Sequence, residues 1–267
     1  MNEKLHEIFE KLWTQYCQLN PSAQKIKELL KVGSKNFVND HVAFRTFQHP
    51  RLGVKSLARF FLENGYQFKG EYHFEAKKLY ARHLEHVSDR SAPKVFISEL
   101  KTNQFSLEIQ KMVDRIADSL SDAQIEAENF CYSGRNWEMN YSEYQKIYPE
   151  SEYAAWVGTF GFCANHFTVY INELTQFTGI AELNEFIKSK GYKLNSNEGE
   201  IKGSPEVYLE QSSTMAESLE VKFSDGEFAV PACYYEFAKR YPLENGEMYQ
   251  GFVAKSADKI FESTNKI

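Results

Sequence analysis

Residues 3–18 place Leu5, Ile8, Phe9, Leu12 and Tyr16 at helical spacing, which draws one apolar stripe along a predicted helix. A second helix is predicted from Pro21, a residue suited to the first helical turn, to about Val32. The period then changes. Asn39-Asp40-His41-Val42-Ala43-Phe44-Arg45-Thr46-Phe47 reads as a strand with His41, Ala43 and Arg45 on one face and Val42, Phe44 and Thr46 on the other. Ser56 to Asn64 reads as a helix that stops at Gly65-Tyr66, the glycine supplying the left-handed residue of a C-cap. Tyr72-His73-Phe74 through Leu79-Tyr80-Ala81 reads as a hairpin or two strands, and Lys94 to Leu100 as another strand. The predicted order is β-α-β-β-β.

That order recurs. Asn165-His166-Phe167-Thr168-Val169-Tyr170-Ile171-Asn172 repeats the histidine strand, Ala181 to Lys188 repeats the helix, and Gly191-Tyr192 repeats its stop. His41 precedes Gly65 by 24 residues and His166 precedes Gly191 by 25. Strands over 206–211 and 219–223 would complete the second unit, with a turn at Ser224-Asp225-Gly226-Glu227. Helical patterns over 104–129 and 141–157 fall between the units. The expected organisation is one catalytic domain over 1–267. It comprises N-terminal helices (1–35), a first unit (39–100), a helical insertion (104–160) outside the units, a second unit (165–223) and a C-terminal segment (224–267).

Composition narrows the class. Of 267 residues, 42% are hydrophobic and 25% charged, which suits a globule with a substantial core. A net charge of −6 with no Lys/Arg-dense run argues against a nucleic-acid partner. Cys17, Cys131, Cys163 and Cys233 are scattered and form no C-x-x-C pair, as expected of reduced thiols in a cytoplasmic protein. The first seven residues lack the apolar stretch of a signal peptide, and no segment has the apolar length of a bilayer span.

Two histidines at matched positions of paired units suggest a shared metal. His41 and Arg45 on one strand face would set a metal beside an anion-binding group. His166 shares its face with Thr168, Tyr170 and Asn172. Structural histidines and a surface salt bridge are the plainer alternative. Two His and one carboxylate with open positions is the ligand set of non-haem Fe(II) oxygenases. Glu210 is the expected third ligand, since it lies on a strand next to the polar run Gln211-Ser212-Ser213-Thr214; Glu99 and Glu220 compete by position. His49, His73, His83 and His86 lack the strand-start placement, and the charged stretch Arg82 to His86 reads as solvated.

The runs Asn39 to Phe47, Phe96 to Leu100, Asn165 to Thr168, Ile201 to Pro205, Leu209 to Ala216, Tyr235 to Tyr241 and Gly251 to Thr264 resemble the 2-oxoadipate dioxygenase/decarboxylase family. The resemblance spans nearly the whole chain from about residue 30. It implies an α+β fold of the vicinal-oxygen-chelate kind, with paired β-α-β-β-β units forming a curved mixed sheet around a metal. It implies His41, His166 and Glu210 as ligands of Fe(II), and Arg45 and Ser256 as substrate-binding residues. The implied reaction, a step of lysine catabolism, converts 2-oxoadipate and dioxygen to 2-hydroxyglutarate and carbon dioxide. The partners would be a small 2-oxo dicarboxylic acid and dioxygen. A metal-dependent hydrolase, lyase or isomerase on the same scaffold and a metal-free binding protein are the other readings.

Overall fold

The computed structural model describes residues 3–34 and 36–254. Helix α1 (Glu3–Leu19) buries Leu5, Ile8, Phe9, Leu12, Trp13 and Tyr16, the stripe expected of it. Helix α2 (Pro21–Lys31) starts at its proline and buries Ala23, Ile26 and Leu30.

The first unit consists of β1 (Asn39–Phe47), α3 (Val54–Glu63), β2 (Tyr66–Phe74), β3 (Leu79–His86) and β4 (Lys94–Leu100). Gly65, just past α3, sits at φ 89°, where a side chain is disfavoured. Next come α4 (Leu107–Ser119), α5 (Asp122–Glu126), α6 (Tyr141–Ile147) and α7 (Glu152–Phe160). The second unit runs β5 (Ala164–Tyr170), α8 (Ile180–Ser189), β6 (Lys202–Ser204) and β7 (Leu209–Ser213). Strands β8 (Ser218–Phe223) and β9 (Gly226–Pro231) then intervene before β10 (Glu236–Arg240).

Eight strands form one curled mixed sheet in the order β2-β3-β4-β1-β5-β10-β7-β6. From the centre outward, β1-β4-β3-β2 mirrors β5-β10-β7-β6. Strands β1 and β4 are parallel, as are β5 and β10, while β1 and β5 meet antiparallel at the seam. Helix α1 packs on the seam, where Trp13 meets Phe167 edge-on at 5.1 Å and Tyr16 lies 5.2 Å from the same ring. Each such buried aromatic contributes on the order of 1.5–3 kcal/mol of hydrophobic stabilisation.

Two expectations need correction. Residues 219–223 do not close the second unit: β8 pairs only with β9, in a separate hairpin, and the closing strand is β10. Burial explains the exchange. Along β8, Ser218, Glu220 and Lys222 are exposed, whereas β10 is almost wholly buried, as a strand between two others must be. The insertion is also not all peripheral. Helix α7 is buried from Tyr153 to Phe160 and packs against β1.

Candidate metal centre

The seam pairs His41 with Thr168 and Ala43 with His166, so both histidines reach the same side of the sheet. Their rings lie 5.5 Å apart at 82°, and both residues are buried. Each Nδ1 is committed to its preceding neighbour, His41 to Asp40 Oδ1 at 2.8 Å and His166 to Asn165 Oδ1 at 3.0 Å. An Nδ1–H donating to those oxygens makes each Nε2 the lone-pair nitrogen, the form in which an imidazole can bind a metal.

Glu236 supplies the carboxylate. Strand β10 lies beside β5 with Glu236 opposite Thr168. Its Oε2 is 3.3 Å from His166 Nε2 and its Oε1 is 3.5 Å from His41 Nε2. One ligand atom from each of the three residues lies within 4.8 Å of the others. Ligand atoms about 2.0–2.2 Å from a common ion lie roughly 3–3.5 Å from one another, so this spacing suits a divalent metal. Two neutral imidazoles and one carboxylate are also the right donors for one.

The surroundings hold these ligands in place. Gln211 Nε2 donates to Glu236 Oε1 at 2.6 Å, and Thr168 Oγ1 lies 3.0 Å from His41 Nε2. Arg240 grips Asp40 through two bonds, Nε to Oδ2 at 2.6 Å and Nη2 to Oδ1 at 2.8 Å, which fixes the carboxylate that orients His41. Burial alone would raise Asp40, but Arg240 and Lys94 hold it well below the usual carboxylate range. Burial pulls His166 well below the ordinary imidazole value, helped by the Arg45 guanidinium and by the cost of a second charge beside His41. Burial also lowers His41, against the pull of Asp40, and pushes the Glu236 carboxyl up to about 8. A cation bound between them would offset that cost of burying Glu236 as an anion.

Arg45 is fully buried, with Nη1 2.8 Å from Glu152 Oε1 and its guanidinium 5.0 Å from the Tyr153 ring and 5.2 Å from the Trp156 ring. Helix α7 therefore builds the wall around it. Glu210 is placed elsewhere. Gln211 turns toward Glu236, so its strand neighbour Glu210 turns away, and the Tyr241 hydroxyl donates to its carboxylate at 2.5 Å. Glu99 caps the start of α3, accepting from the Val54 amide at 2.8 Å, and Glu220 is exposed on β8. The stretch expected to be solvated is not: His83 is buried between the Tyr72 hydroxyl and Glu85. Ser256 lies outside the described residues.

Glu236 had a signal in the sequence that reasoning by polar neighbours passes over. It is the lone charge inside the run Ala232-Cys233-Tyr234-Tyr235-Glu236-Phe237-Ala238. A carboxylate costs too much in such a run without a partner.

The paired units form a fold of the vicinal-oxygen-chelate kind, and at their seam lies a His-His-Glu cluster that could hold a metal ion. The family model described as 2-oxoadipate dioxygenase/decarboxylase matches residues 3–248, and the chain belongs to that family, one of oxidoreductase enzymes. It is 35% identical to the chloroplastic 2-oxoadipate dioxygenase/decarboxylase of Arabidopsis thaliana over 283 aligned residues, covering 96% of this chain and 76% of the relative. Among solved structures, the hydroxyglutarate synthase of Oryza sativa in complex with 2-oxoadipate superposes with a TM-score of 0.90. It is 33% identical, over 99% of this chain and 94% of that one. A protein of Shewanella frigidimarina NCIMB 400, described only provisionally as a hydrolase, also gives a TM-score of 0.90, at 49% identity over 95% of this chain and 99% of that one. Among the described residues, no helix is long and apolar enough to cross a membrane.

Proposed function

We propose that this protein converts 2-oxoadipate and dioxygen to 2-hydroxyglutarate and carbon dioxide, with Fe(II) held by His41, His166 and Glu236. The observation that carries this reading is the buried three-residue cluster in a chain of this family. Iron bound there would supply the redox chemistry, activating dioxygen for oxidative loss of the substrate's carboxyl group. The protein's own residues do the rest. Three protein ligands leave positions for the keto and carboxylate oxygens of a 2-oxo acid. Arg45 meets the distal carboxylate with a charge-assisted pair, and the rings of Tyr153 and Trp156 keep its guanidinium in a fixed orientation. Holding both ends of the substrate decides which carbon faces the oxidant. The cytoplasmic setting within lysine breakdown is part of the same reading, supported by four cysteines that form no disulfide.

Oxygen uptake tests it. With Fe(II) and 2-oxoadipate, stoichiometric consumption of dioxygen and appearance of 2-hydroxyglutarate are expected. The provisional description of the Shewanella relative favours one other reading, a metal-dependent hydrolase. A hydrolase consumes no dioxygen, so turnover of a 2-oxo acid without oxygen uptake would replace the first reading with the second.

A further inference from the structure

Tyr234 stands at the entry to β10, two residues before Glu236. Its ring is fully buried and lies nearly flat on His166, with centroids 4.7 Å apart and 26° between planes. The segment that carries it is pinned on both sides: the Tyr16 hydroxyl donates to the Tyr234 carbonyl, and Trp156 Nε1 donates to the Ala232 carbonyl at 2.6 Å. Full burial against His166 holds the ring in place. Its hydroxyl nevertheless has no hydrogen-bond partner among the described residues. Buried tyrosine hydroxyls ordinarily find one.

The charges acting on that hydroxyl are those of Arg45, Glu236 and Glu152. The fold sets this segment beside Arg45: Trp156, which bonds the Ala232 carbonyl, has its ring 5.2 Å from the Arg45 guanidinium, and His166, under the Tyr234 ring, lies opposite Ala43 on the strand of Arg45. Arg45 Nη1 bonds Glu152, and a carboxylate has about four lone-pair positions to satisfy, more than one guanidinium fills. A phenol beside the guanidinium can fill one of them. Tyr235 provides a contrast. Alternation turns it to the opposite side, among Trp13, Tyr16 and Phe237, and its hydroxyl is likewise unpartnered, but its ring packs on the aromatic core and not on a histidine of the cluster.

We propose that Tyr234 is a specificity-determining, substrate-binding residue, whose hydroxyl donates to the distal carboxylate of the 2-oxo acid that Arg45 holds by charge. This rests on the functional reading above. The test compares Tyr234→Phe and Tyr235→Phe with wild type in metal-loaded protein under nitrogen. Calorimetry measures binding of 2-oxoadipate and of 2-oxohexanoate, which carries a methyl group in place of the distal carboxylate. Thermal midpoints and metal content are measured without substrate. Tyr234→Phe should bind 2-oxoadipate about 10- to 100-fold more weakly, the worth of one hydrogen bond to a charged group, and 2-oxohexanoate within about twofold of wild type. Its midpoint and metal content should equal or exceed those of wild type, and Tyr235→Phe should leave both affinities unchanged. Unaltered binding of 2-oxoadipate, an equal loss on both acids, or a lowered midpoint in Tyr234→Phe would overturn the proposal, the last by making the hydroxyl a structural group. If wild type binds neither 2-oxo acid, the functional reading fails separately. Glutarate and adipate then probe the Arg45 end, and the midpoint comparison still decides whether the hydroxyl is structural.

Discussion

Glu236 and Glu210 lie on adjacent strands, and only one of them faces the histidines. Replacing Glu236 with Gln keeps the shape but removes the anionic ligand, so iron content after anaerobic reconstitution should fall at least tenfold. Glu210→Gln disturbs only a bond from Tyr241 and should load as wild type does. Measured metal stoichiometry decides between them; equal loss in both variants would mean that the cluster is not the binding site. Arg45→Lys keeps the charge but loses the planar fork. Turnover efficiency with a dicarboxylic 2-oxo acid should fall roughly ten- to a hundredfold, with iron content unchanged. A 2-oxo acid lacking the distal carboxylate should be turned over equally by both proteins, and a matching loss on both substrates would show that Arg45 does not read that group. That His41 and His166 meet was legible in the chain because strand alternation and the repeat are local. The carboxylate that joins them was not. Which of several glutamates faces the histidines depends on the β10–β5 and β10–β7 registers, and these are set by contacts distant in sequence.

At the scale of elements, helix stops and strand periods carried the first unit almost completely, because its strands follow one another without interruption. The second unit hid its closing strand behind the β8–β9 hairpin, whose residues alternate as a half-buried strand does. Only the burial of β10 on both sides distinguishes the true sheet member. The join between α7 and β5 shows how tightly the insertion is tied in. Gly161 ends α7 at φ 73° and ψ −151°, and a Cβ there would lie 2.2 Å from the Gly134 carbonyl oxygen. Gly161→Ala should therefore cost about 2–3 kcal/mol or more, combining backbone strain with a clash that only main-chain movement relieves. For a chain of this size, that lowers the thermal midpoint by roughly 4–12 °C. Gly199 has φ 98° but nothing within 4 Å of its Cβ position, so Gly199→Ala should cost less, only about 1 kcal/mol. Equal midpoints for the two variants would show that the close approach to Gly134 does not matter.

Across the whole molecule, the candidate centre is also a joint. His41 comes from the first unit, while His166 and Glu236 come from the second, so a metal bound by all three ties the halves together at the β1–β5 seam. Unfolding separates these ligands, and metal should therefore favour the native state. At a free concentration of about 100 times Kd, the gain is about 2.7 kcal/mol, or roughly 5–11 °C in thermal midpoint. His166→Ala should abolish the shift and Glu210→Gln should keep it. The effect should also depend on pH in a definite direction. In protein stripped of metal, burial holds the Glu236 carboxyl up to about 8, so at neutral pH it is largely protonated, whereas a metal ligand must be deprotonated. Loading thus releases a proton below about pH 8, and apparent affinity should rise by up to about tenfold per pH unit between pH 6 and 8. Both histidines are held neutral over that range and add little to the slope. Calorimetry of metal binding in buffers of different ionisation enthalpy reads the proton count directly. A count near zero at pH 7 would mean that Glu236 is already an anion before the metal arrives, and that the polar groups around it, Gln211 above all, offset the cost of its burial without help from a cation.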